Sequence, residues 1–212
     1  MKRVWIGLAL LVLFLAVPPF AGAQSWQNQA RQLIESGAYD SCLHNPNPEF
    51  DEMLSERDRE WDMAALYDLD RDGVPEVIVQ SIYGFEQADV FVSGSGGMKH
   101  AGMIGGENFF QFFFYYPDAE GLFTAVGGPM MEIERYTLEG ETLQRTEIGE
   151  TLVDWDAEET IGIRMEVEDA ELLQRLYGTL VWDQDSSQGL EWVGIRDLKT
   201  QTDWERFFAS AR

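Results

Sequence analysis

The sequence predicts an α+β fold, in which an N-terminal helix is followed by an antiparallel β-meander and then by one or two C-terminal helices. Short apolar segments rich in β-branched and aromatic residues recur through the middle of the chain, separated by clusters of glycine and aspartate. Such segments are typical of strands joined by turns, and they predict about seven or eight strands. Near both ends, apolar residues instead recur every three or four positions, which is the spacing of a helix that packs on one side.

The first 23 residues are predicted to be a secretory signal peptide. Lys2 and Arg3 form a short positive segment, Val4–Val17 is apolar, and Ala21–Ala23 supplies the small residues that suit cleavage. Because the uncharged stretch after Arg3 is 20 residues long, an uncleaved membrane anchor is the alternative. Residues 24–212 are expected to form one domain of a protein that is secreted or periplasmic.

The chain that follows the signal peptide is strongly acidic. Without Lys2 and Arg3 it carries 13 basic and 38 acidic residues, a net charge of −25. Nucleic acids and anionic membranes attract proteins through positive charge. Neither is therefore expected as a partner, and no membrane contact is expected beyond the signal peptide. The expected partner is a protein or a cell-surface glycan, and the alternative is that the protein binds nothing beyond calcium.

Helices are predicted at both ends of the domain. In Ser25–Ser36 the apolar residues fall on one helical stripe, and Gly37 follows as an end signal. Thr202–Glu205 has the spacing of a capping box, which predicts a last helix through Ala211. Two further helical segments are predicted elsewhere in the chain: Phe50–Glu60 and Glu168–Tyr177.

Strands are predicted wherever a short apolar segment is bounded by turn residues. Gly94–Gly97 and Glu139–Gly140 are predicted to be hairpin turns. Phe109–Tyr116 is the most apolar segment after the signal peptide and predicts a strand buried on both faces; an aromatic platform for a sugar or peptide is the alternative. The predicted strands are Met63–Tyr67, Glu76–Ser81, Ala88–Ser93, Met98–Ile104, Phe109–Tyr116, Leu122–Val126, Met131–Leu138 and Thr142–Ile148, with shorter candidates at Leu180–Asp183 and Leu190–Ile195.

Between the first two predicted strands, acidic residues recur at alternate positions of one loop. Loops of this kind surround a hard cation, and Ca²⁺ takes about six to eight oxygen ligands. Gly73 occupies the position where the chain has to turn sharply, which favours a positive φ. An acidic turn without metal is the alternative, but crowded carboxylates repel one another by about 1 kcal/mol per pair at ~4 Å in water. The predicted calcium ligands are Asp68, Asp70, Asp72, the main-chain carbonyl of Val74, and Glu76.

The segments that flank this loop distinguish between two kinds of calcium site. An EF-hand requires helices on both sides and a bidentate glutamate at position 12 of the loop. Counted from Asp68, that position is Val79. Val77–Val79 is composed of β-branched residues, which favours a strand. The sequence therefore predicts a strand–loop–strand site.

This arrangement resembles the FG-GAP type of calcium loop, which occurs in the blades of integrin-like β-propellers. The family pattern is D-x-D-x-D-G-x-x-D, then an apolar strand, a Gly-Ala-Pro-like turn and another strand; here Asp68–Glu76 is followed by a strand, a glycine and Ala88–Val92. Glu76 replaces the last aspartate of the pattern, and the Gly-Ala-Pro triplet is absent. The loop is also similar to a segment that a loose group of exported bacterial proteins carries in one copy. The resemblance implies calcium binding and a β-structured unit over about residues 62–104.

A weaker copy of the same unit follows 48 residues later in the chain. Tyr67–Gly73 precedes an apolar segment and a glycine, and Tyr116–Gly121 likewise precedes the apolar segment Leu122–Val126 and Gly127. The second loop has fewer carboxylates and is predicted to hold no ion. The pattern is equally compatible with a repeated strand–turn–strand unit and with a chance similarity.

Catalytic signatures are weak in this sequence. The only histidines are His44 and His100, and the chain contains neither a G-x-S-x-G elbow nor an H-E-x-x-H or C-x-x-C zinc motif. Paired carboxylates, as in glycoside hydrolases, are the remaining option. The candidates for such a pair are acidic residues that flank predicted strands: Glu132, Glu134, Asp154 and Asp156.

These observations predict an exported calcium-binding module in which the ion is mainly structural and which binds a partner without catalysis. No catalytic residue is predicted. One alternative is a hydrolase of glycan or peptide that uses paired carboxylates; a cleft holding two of them about 5–10 Å apart would favour it. The other is a small inhibitor protein that presents a loop; an exposed apolar patch without a cleft would favour that.

Overall fold

Two α-helices and ten β-strands form the part of the chain that the computed structural model describes. The described residues are 25–42, 62–80, 88–105, 111–115, 120–127, 130–154, 159–165 and 189–211. Four predicted elements lie outside them: the signal peptide, the helices Phe50–Glu60 and Glu168–Tyr177, and the strand Leu180–Asp183.

Within the described residues, the predicted helices and strands are present with bounds that differ by a few residues. The helices are α1 (Trp26–Ser36) and α2 (Gln201–Ala209), and short 3-10 helices occur at Ala38–Cys42 and Ile195–Asp197. The strands are β1 (Met63–Tyr67), β2 (Glu76–Gln80), β3 (Ala88–Gly94), β4 (Gly97–Ile104), β5 (Gln111–Tyr115), β6 (Leu122–Gly127), β7 (Met130–Glu139), β8 (Thr142–Asp154), β9 (Glu159–Met165) and β10 (Val193–Gly194).

The ten strands divide into two antiparallel sheets of five. The first sheet has the order β10-β1-β2-β3-β4, and the second has the order β5-β6-β7-β8-β9. Consecutive strands are neighbours in both sheets except for β10, which returns from near the C-terminus and places Gly194 opposite Met63 of β1. The α+β class with an antiparallel meander is therefore confirmed. The division into two sheets was not predicted, because the same turn residues connect strands of one sheet and strands of different sheets.

Strands β1 and β2 of the first sheet are buried on both faces. In β1, Ala64 and Leu66 belong to an apolar cluster with residues of α1 and α2. Ala65 and Tyr67 belong to a second cluster, which includes Leu122 and other residues of the second sheet. Because successive side chains of a strand point to opposite faces, both faces require apolar residues. This explains the continuous apolar sequence of β1 and β2.

Helix α1 begins and ends as its sequence predicts. The Ser25 hydroxyl accepts a hydrogen bond from the Asn28 N–H at 3.4 Å, and Gly37 ends the helix in the left-handed conformation with φ 66°. One buried residue of this helix is polar: the Gln29 side chain donates to the Gly94 carbonyl at 3.1 Å and accepts from the Ser93 hydroxyl at 3.0 Å. Gln29 thus holds the predicted β3–β4 hairpin against the helix.

Helix α2 is present, but its predicted capping box is wrong by two positions. The box is formed by Thr200 and Asp203: the Thr200 hydroxyl accepts from the Asp203 N–H at 3.3 Å, and the Asp203 carboxylate accepts from the Thr200 N–H at 2.8 Å. Thr200 has the extended backbone of an N-cap residue, whereas Thr202 lies inside the helix. The sequence has a threonine followed by an acid three residues later at both places, and the pattern alone does not choose between them.

Two further observations complete the fold. The most apolar predicted segment forms strand β5, with bounds Gln111–Tyr115, and its predicted burial stays a prediction. None of the helices in the described ranges combines the length and the apolar character that spanning a membrane requires.

Candidate metal centre

The acidic loop joins two neighbouring antiparallel strands. Tyr67 at the end of β1 lies opposite Glu76 at the start of β2, and residues 68–75 connect them. The strand–loop–strand arrangement predicted from the sequence is therefore confirmed, and the helices of an EF-hand do not flank this loop. The loop lies at one end of the first sheet, with one strand entering it and one leaving it.

Hydrogen bonds from the loop's own backbone hold its aspartates in place. The two carboxylate oxygens of Asp68 accept from the Asp72 N–H at 3.1 Å and the Gly73 N–H at 2.9 Å. One carboxylate oxygen of Asp70 accepts from the Asp72 N–H at 3.2 Å, and one of Asp72 accepts from the Val74 N–H at 2.7 Å. These contacts fold the loop into successive turns, which short acidic side chains favour by bonding to their own backbone.

Two residues of the loop have positive φ. Gly73 has φ 87°, as predicted from its place at the sharp turn, and Arg71 has φ 60°. A positive φ is uncommon for a residue with a Cβ atom, and it marks a position that the surrounding structure fixes. The conformation of Arg71 was not predicted, because arginine carries no preference for it.

Three of the predicted ligands converge on one point. Oxygen atoms of Asp68, Asp70 and Glu76 lie within 4.8 Å of one another, an arrangement that can hold a metal ion. Asp72 is not a member of this group, and the Val74 carbonyl as a ligand stays a prediction. Carboxylate oxygens are hard ligands that suit Ca²⁺, Mg²⁺ or Mn²⁺. The group therefore supports a divalent cation without fixing which one.

Glu76 is the buried member of the group. It is only 4% exposed, and one of its carboxylate oxygens accepts a hydrogen bond from the Leu69 N–H at 2.7 Å. Burial, reinforced by the negative charges of Asp70 and Asp68, raises the pKa of Glu76 to about 8, against the lowering effect of the Leu69 N–H. A buried carboxylate in this environment is costly to ionise without a nearby cation.

The pKa of Asp70 is also raised, for related reasons. Asp70 is exposed, but the protein around it still takes water away from its carboxylate, and this desolvation, together with the charges of Asp72 and Asp68, raises its pKa, while the Asp72 N–H lowers it. A divalent cation among these oxygens would reverse the effect, since an adjacent positive charge favours the ionised form of a carboxylate. The donor set and the electrostatics both fit a bound cation.

The other acidic candidates have different environments. Glu134, on β7, is 3% exposed, and its carboxylate accepts from the Tyr136 hydroxyl with one oxygen and pairs with Arg145 through the other. Glu132 is half-buried on the same strand. Asp154 ends β8, and Asp156 lies outside the described residues.

His100, the histidine that lies within the described residues, is not a member of the metal group. Nε2 of His100, on β4, lies 2.7 Å from a carboxylate oxygen of the fully buried Asp89 on β3. His44 lies outside the described residues. The pair between His100 and Asp89 joins two neighbouring strands of the first sheet.

Sequence reasoning missed two residues that support the metal group. Tyr67 and Leu69 alternate with Asp68 and Asp70, and both are buried against the second sheet. The signal was present in the sequence: the alternation of apolar and acidic residues continues from β1 into the loop, with the period of an extended chain. It predicts one face of the loop in the core and the other face lined by the carboxylates.

Comparison with known proteins provides no family assignment. No protein-family model, no curated protein and no solved structure matches this chain.

Proposed function

We propose that this protein is an exported calcium-binding module whose ion stabilises the β1–β2 loop. The observation that carries the proposal is the convergence of Asp68, Asp70 and the buried Glu76 within 4.8 Å. Ca²⁺ accepts several carboxylates in irregular geometry, whereas Mg²⁺ requires a near-ideal octahedron and retains most of its water. The spacing of the predicted ligands and the resemblance to FG-GAP loops also favour calcium.

The ion acts mainly as a structural element. Extracellular calcium modules bind with dissociation constants of about 10⁻⁴–10⁻³ M. With a constant of ~0.1 mM and ~1 mM calcium, binding stabilises the folded state by about 1.4 kcal/mol. This amount is a useful fraction of the stability of a small domain and is too small to be its sole support.

Export and partner class follow from the sequence. The signal peptide directs the chain to a compartment where calcium is abundant, and the net charge of −25 disfavours polyanionic partners. The module then serves as a non-enzymatic binding protein for another protein or a cell-surface glycan. The carboxylate of Glu134, one of the acids considered for a hydrolase, has Tyr136 and Arg145 as partners, which argues against its use as a catalytic acid.

The proposal is tested by thermal melting of purified protein in 1 mM Ca²⁺, in Mg²⁺ and in excess chelator, all at about pH 8. We expect calcium to raise the melting temperature of the wild type by about 2–4 °C, because ~1 kcal/mol has roughly that effect in a domain of this size. Asp70→Asn should abolish the shift. Glu35→Gln on α1 is the matched control, since it removes one exposed negative charge far from the loop in sequence. A wild-type protein with the same melting temperature in calcium and chelator would overturn the proposal.

A further inference from the structure

The loop that carries the acidic group also contacts the second sheet. Tyr67 and Leu69 are 5% and 0% exposed, and they belong to the apolar cluster that includes Leu122 of β6 and Tyr136 of β7. They alternate in the chain with Asp68 and Asp70. One side of this segment therefore lies in the core between the sheets, while the other side contributes carboxylates to the metal group.

A buried hydrogen bond links this segment to the second sheet. The Tyr67 hydroxyl donates to the main-chain carbonyl of Gly121 at 3.0 Å. Gly121 has φ 97°, and a Cβ atom there would lie 2.5 Å from the main-chain oxygen of Tyr136. The backbone of Gly121 is thus held tightly against β7, so the acceptor for Tyr67 has a fixed position.

A second hydrogen bond links the same segment to the metal group. The Leu69 N–H donates to the Glu76 carboxylate at 2.7 Å, while the Leu69 side chain lies in the cluster between the sheets. Displacement of Leu69 from this cluster would therefore move the donor that orients Glu76. Tyr67 precedes Asp68 in the chain, so a displacement of Tyr67 would move the backbone that carries this ligand.

From these contacts we infer that Tyr67 and Leu69 are positioning residues, through which ion binding and the packing of the two sheets stabilise each other. The inference rests on the proposed function, since it needs a cation at Asp68, Asp70 and Glu76. Without the cation, the mutual repulsion of the carboxylates acts on the backbone that Tyr67 and Leu69 share with them. With the cation, the same backbone is fixed, and the contacts with Gly121 and Leu122 are fixed with it.

The coupling is reciprocal, which allows it to be measured from both sides. Tyr67→Phe removes the hydroxyl that bonds to Gly121 and retains the buried ring. If that bond is coupled to the ion, its loss should weaken calcium binding about fivefold, the effect of one ordinary buried hydrogen bond. In the other direction, calcium should slow hydrogen exchange of the β6 amides about fivefold more than that of the α1 amides in the wild type. This excess should disappear in Tyr67→Phe.

Tyr39→Phe is the matched control. It removes the hydroxyl of another buried tyrosine, which donates to the Asp62 carboxylate at 2.8 Å on the helix side of the first sheet. We expect this variant to bind calcium with wild-type affinity in calorimetric titration and to retain the excess protection of β6. Leu69→Val, a smaller change at the second positioning residue, should also weaken calcium binding.

The outcomes separate this inference from the proposed function. A wild-type protein that takes up no calcium in the titration overturns both. If the wild type binds calcium and Tyr67→Phe binds it with the same affinity, the positioning role alone is overturned. The same conclusion follows if calcium protects the β6 and α1 amides of the wild type equally. Weaker binding in Tyr67→Phe than in Tyr39→Phe, together with loss of the β6 effect, supports it.

Discussion

Each of the two sheets contains a buried glutamate, and the two have opposite surroundings. Glu134 in the second sheet is 3% exposed and has Tyr136 as a hydrogen-bond donor and Arg145 as a cation. Glu76 in the first sheet is 4% exposed, has the Leu69 N–H as a donor, and lies beside Asp68 and Asp70. One carboxylate is thus neutralised by the protein's own cation, and the other is surrounded by further negative charge.

The difference indicates what each site is for. A buried carboxylate requires either a cation or a proton to offset the cost of its burial. At Glu134 the cation is the side chain of Arg145, so this carboxylate has a counter-charge whether or not a metal ion is dissolved in the solution. At Glu76 the environment favours a proton at neutral pH, with a pKa of about 8, and a metal ion can replace that proton. Stability should therefore depend on calcium at one glutamate and not at the other.

The largest effect is expected from breaking the internal pair. Arg145→Met leaves the buried carboxylate of Glu134 without its cation, which should destabilise the protein by about 2–3 kcal/mol, less than for a fully buried pair because Arg145 is 61% exposed. Urea denaturation in calcium and in chelator should give the same loss. Lys99→Met removes a cation from the exposed pair with Glu141 and is the control, with an expected loss of at most about 1 kcal/mol. A loss of stability in Arg145→Met that appears only in chelator would contradict the proposed difference between the two glutamates.

Neutralising the other glutamate should have a smaller effect of different character. Glu76→Gln retains an oxygen that can accept from the Leu69 N–H and removes the buried charge. In chelator at pH 8.5 the variant should be more stable than the wild type by on the order of 1 kcal/mol, because three carboxylates become two. In calcium it should lack the stabilisation of about 1.4 kcal/mol expected for the wild type. Chemical denaturation under both conditions measures the two differences.

Glu134→Gln provides the reciprocal control for that experiment. It should destabilise the protein in chelator and in calcium alike, since it weakens the contacts with Tyr136 and Arg145. The comparison would fail if both glutamine variants were less stable than the wild type in chelator.

The pH dependence of calcium stabilisation should follow Glu76. Its pKa in the folded protein is about 8, above its ordinary value of 4.5, so the folded state binds this proton more tightly than the unfolded state does. The ion-free protein therefore loses stability from this group as pH rises between about 5 and 8. Calcium binding requires the ionised carboxylate and strengthens over the same interval. The calcium-induced rise in melting temperature should be small at pH 6 and complete at pH 8.5. An equal rise at both pH values would exclude Glu76 as a ligand that must lose a proton.

The smallest effect is expected at the hydroxyl that supports Glu134. The Tyr136 hydroxyl donates to that carboxylate and accepts from the Gly105 N–H at 3.2 Å. Burial and the bond to Glu134 raise the pKa of Tyr136, so the hydroxyl remains a donor throughout the physiological range. Tyr136→Phe should cost about 1 kcal/mol, equally with and without calcium. Differential scanning calorimetry would measure the loss, and a calcium-dependent loss would contradict it.

The sequence predicted the parts of this comparison that local spacing determines. The acidic residues at alternate positions and Gly73 predicted the turn, the neighbouring strands and three carboxylates that converge. The β-branched residues of β2 correctly excluded the helices of an EF-hand. These features depend on residues close together in the chain, where periodicity and turn chemistry act directly.

Features that depend on distant residues were not predictable in this way. The Arg145 partner of Glu134 is eleven residues away on the neighbouring strand, and the acceptor for Tyr67 is 54 residues away. The return of β10 to β1 also joins segments far apart in the sequence. Such contacts are decided by packing of whole sheets, for which the sequence gives only the apolar pattern. The misplaced capping box at Thr202 shows that even a local pattern fails where it occurs twice within three residues.

The two segments of the predicted repeat can be compared in the structure. Strand β5 begins 48 residues after β1, and Gly73 and Gly121 both have positive φ before a strand. The two segments differ in loop length, since the connection between β5 and β6 is two residues shorter than that between β1 and β2. At the position 48 residues after Glu76, the second sheet has the buried Thr124. The repeat stays a prediction, with an ion expected in the first unit alone.

The most direct test of the calcium assignment is a crystal structure of the protein soaked in calcium, with anomalous diffraction to locate the ion. We expect one calcium ion bound by carboxylate oxygens of Asp68, Asp70 and Glu76 at about 2.3–2.6 Å. Water or no density between these three side chains at millimolar calcium, with the carboxylates turned apart, would contradict it.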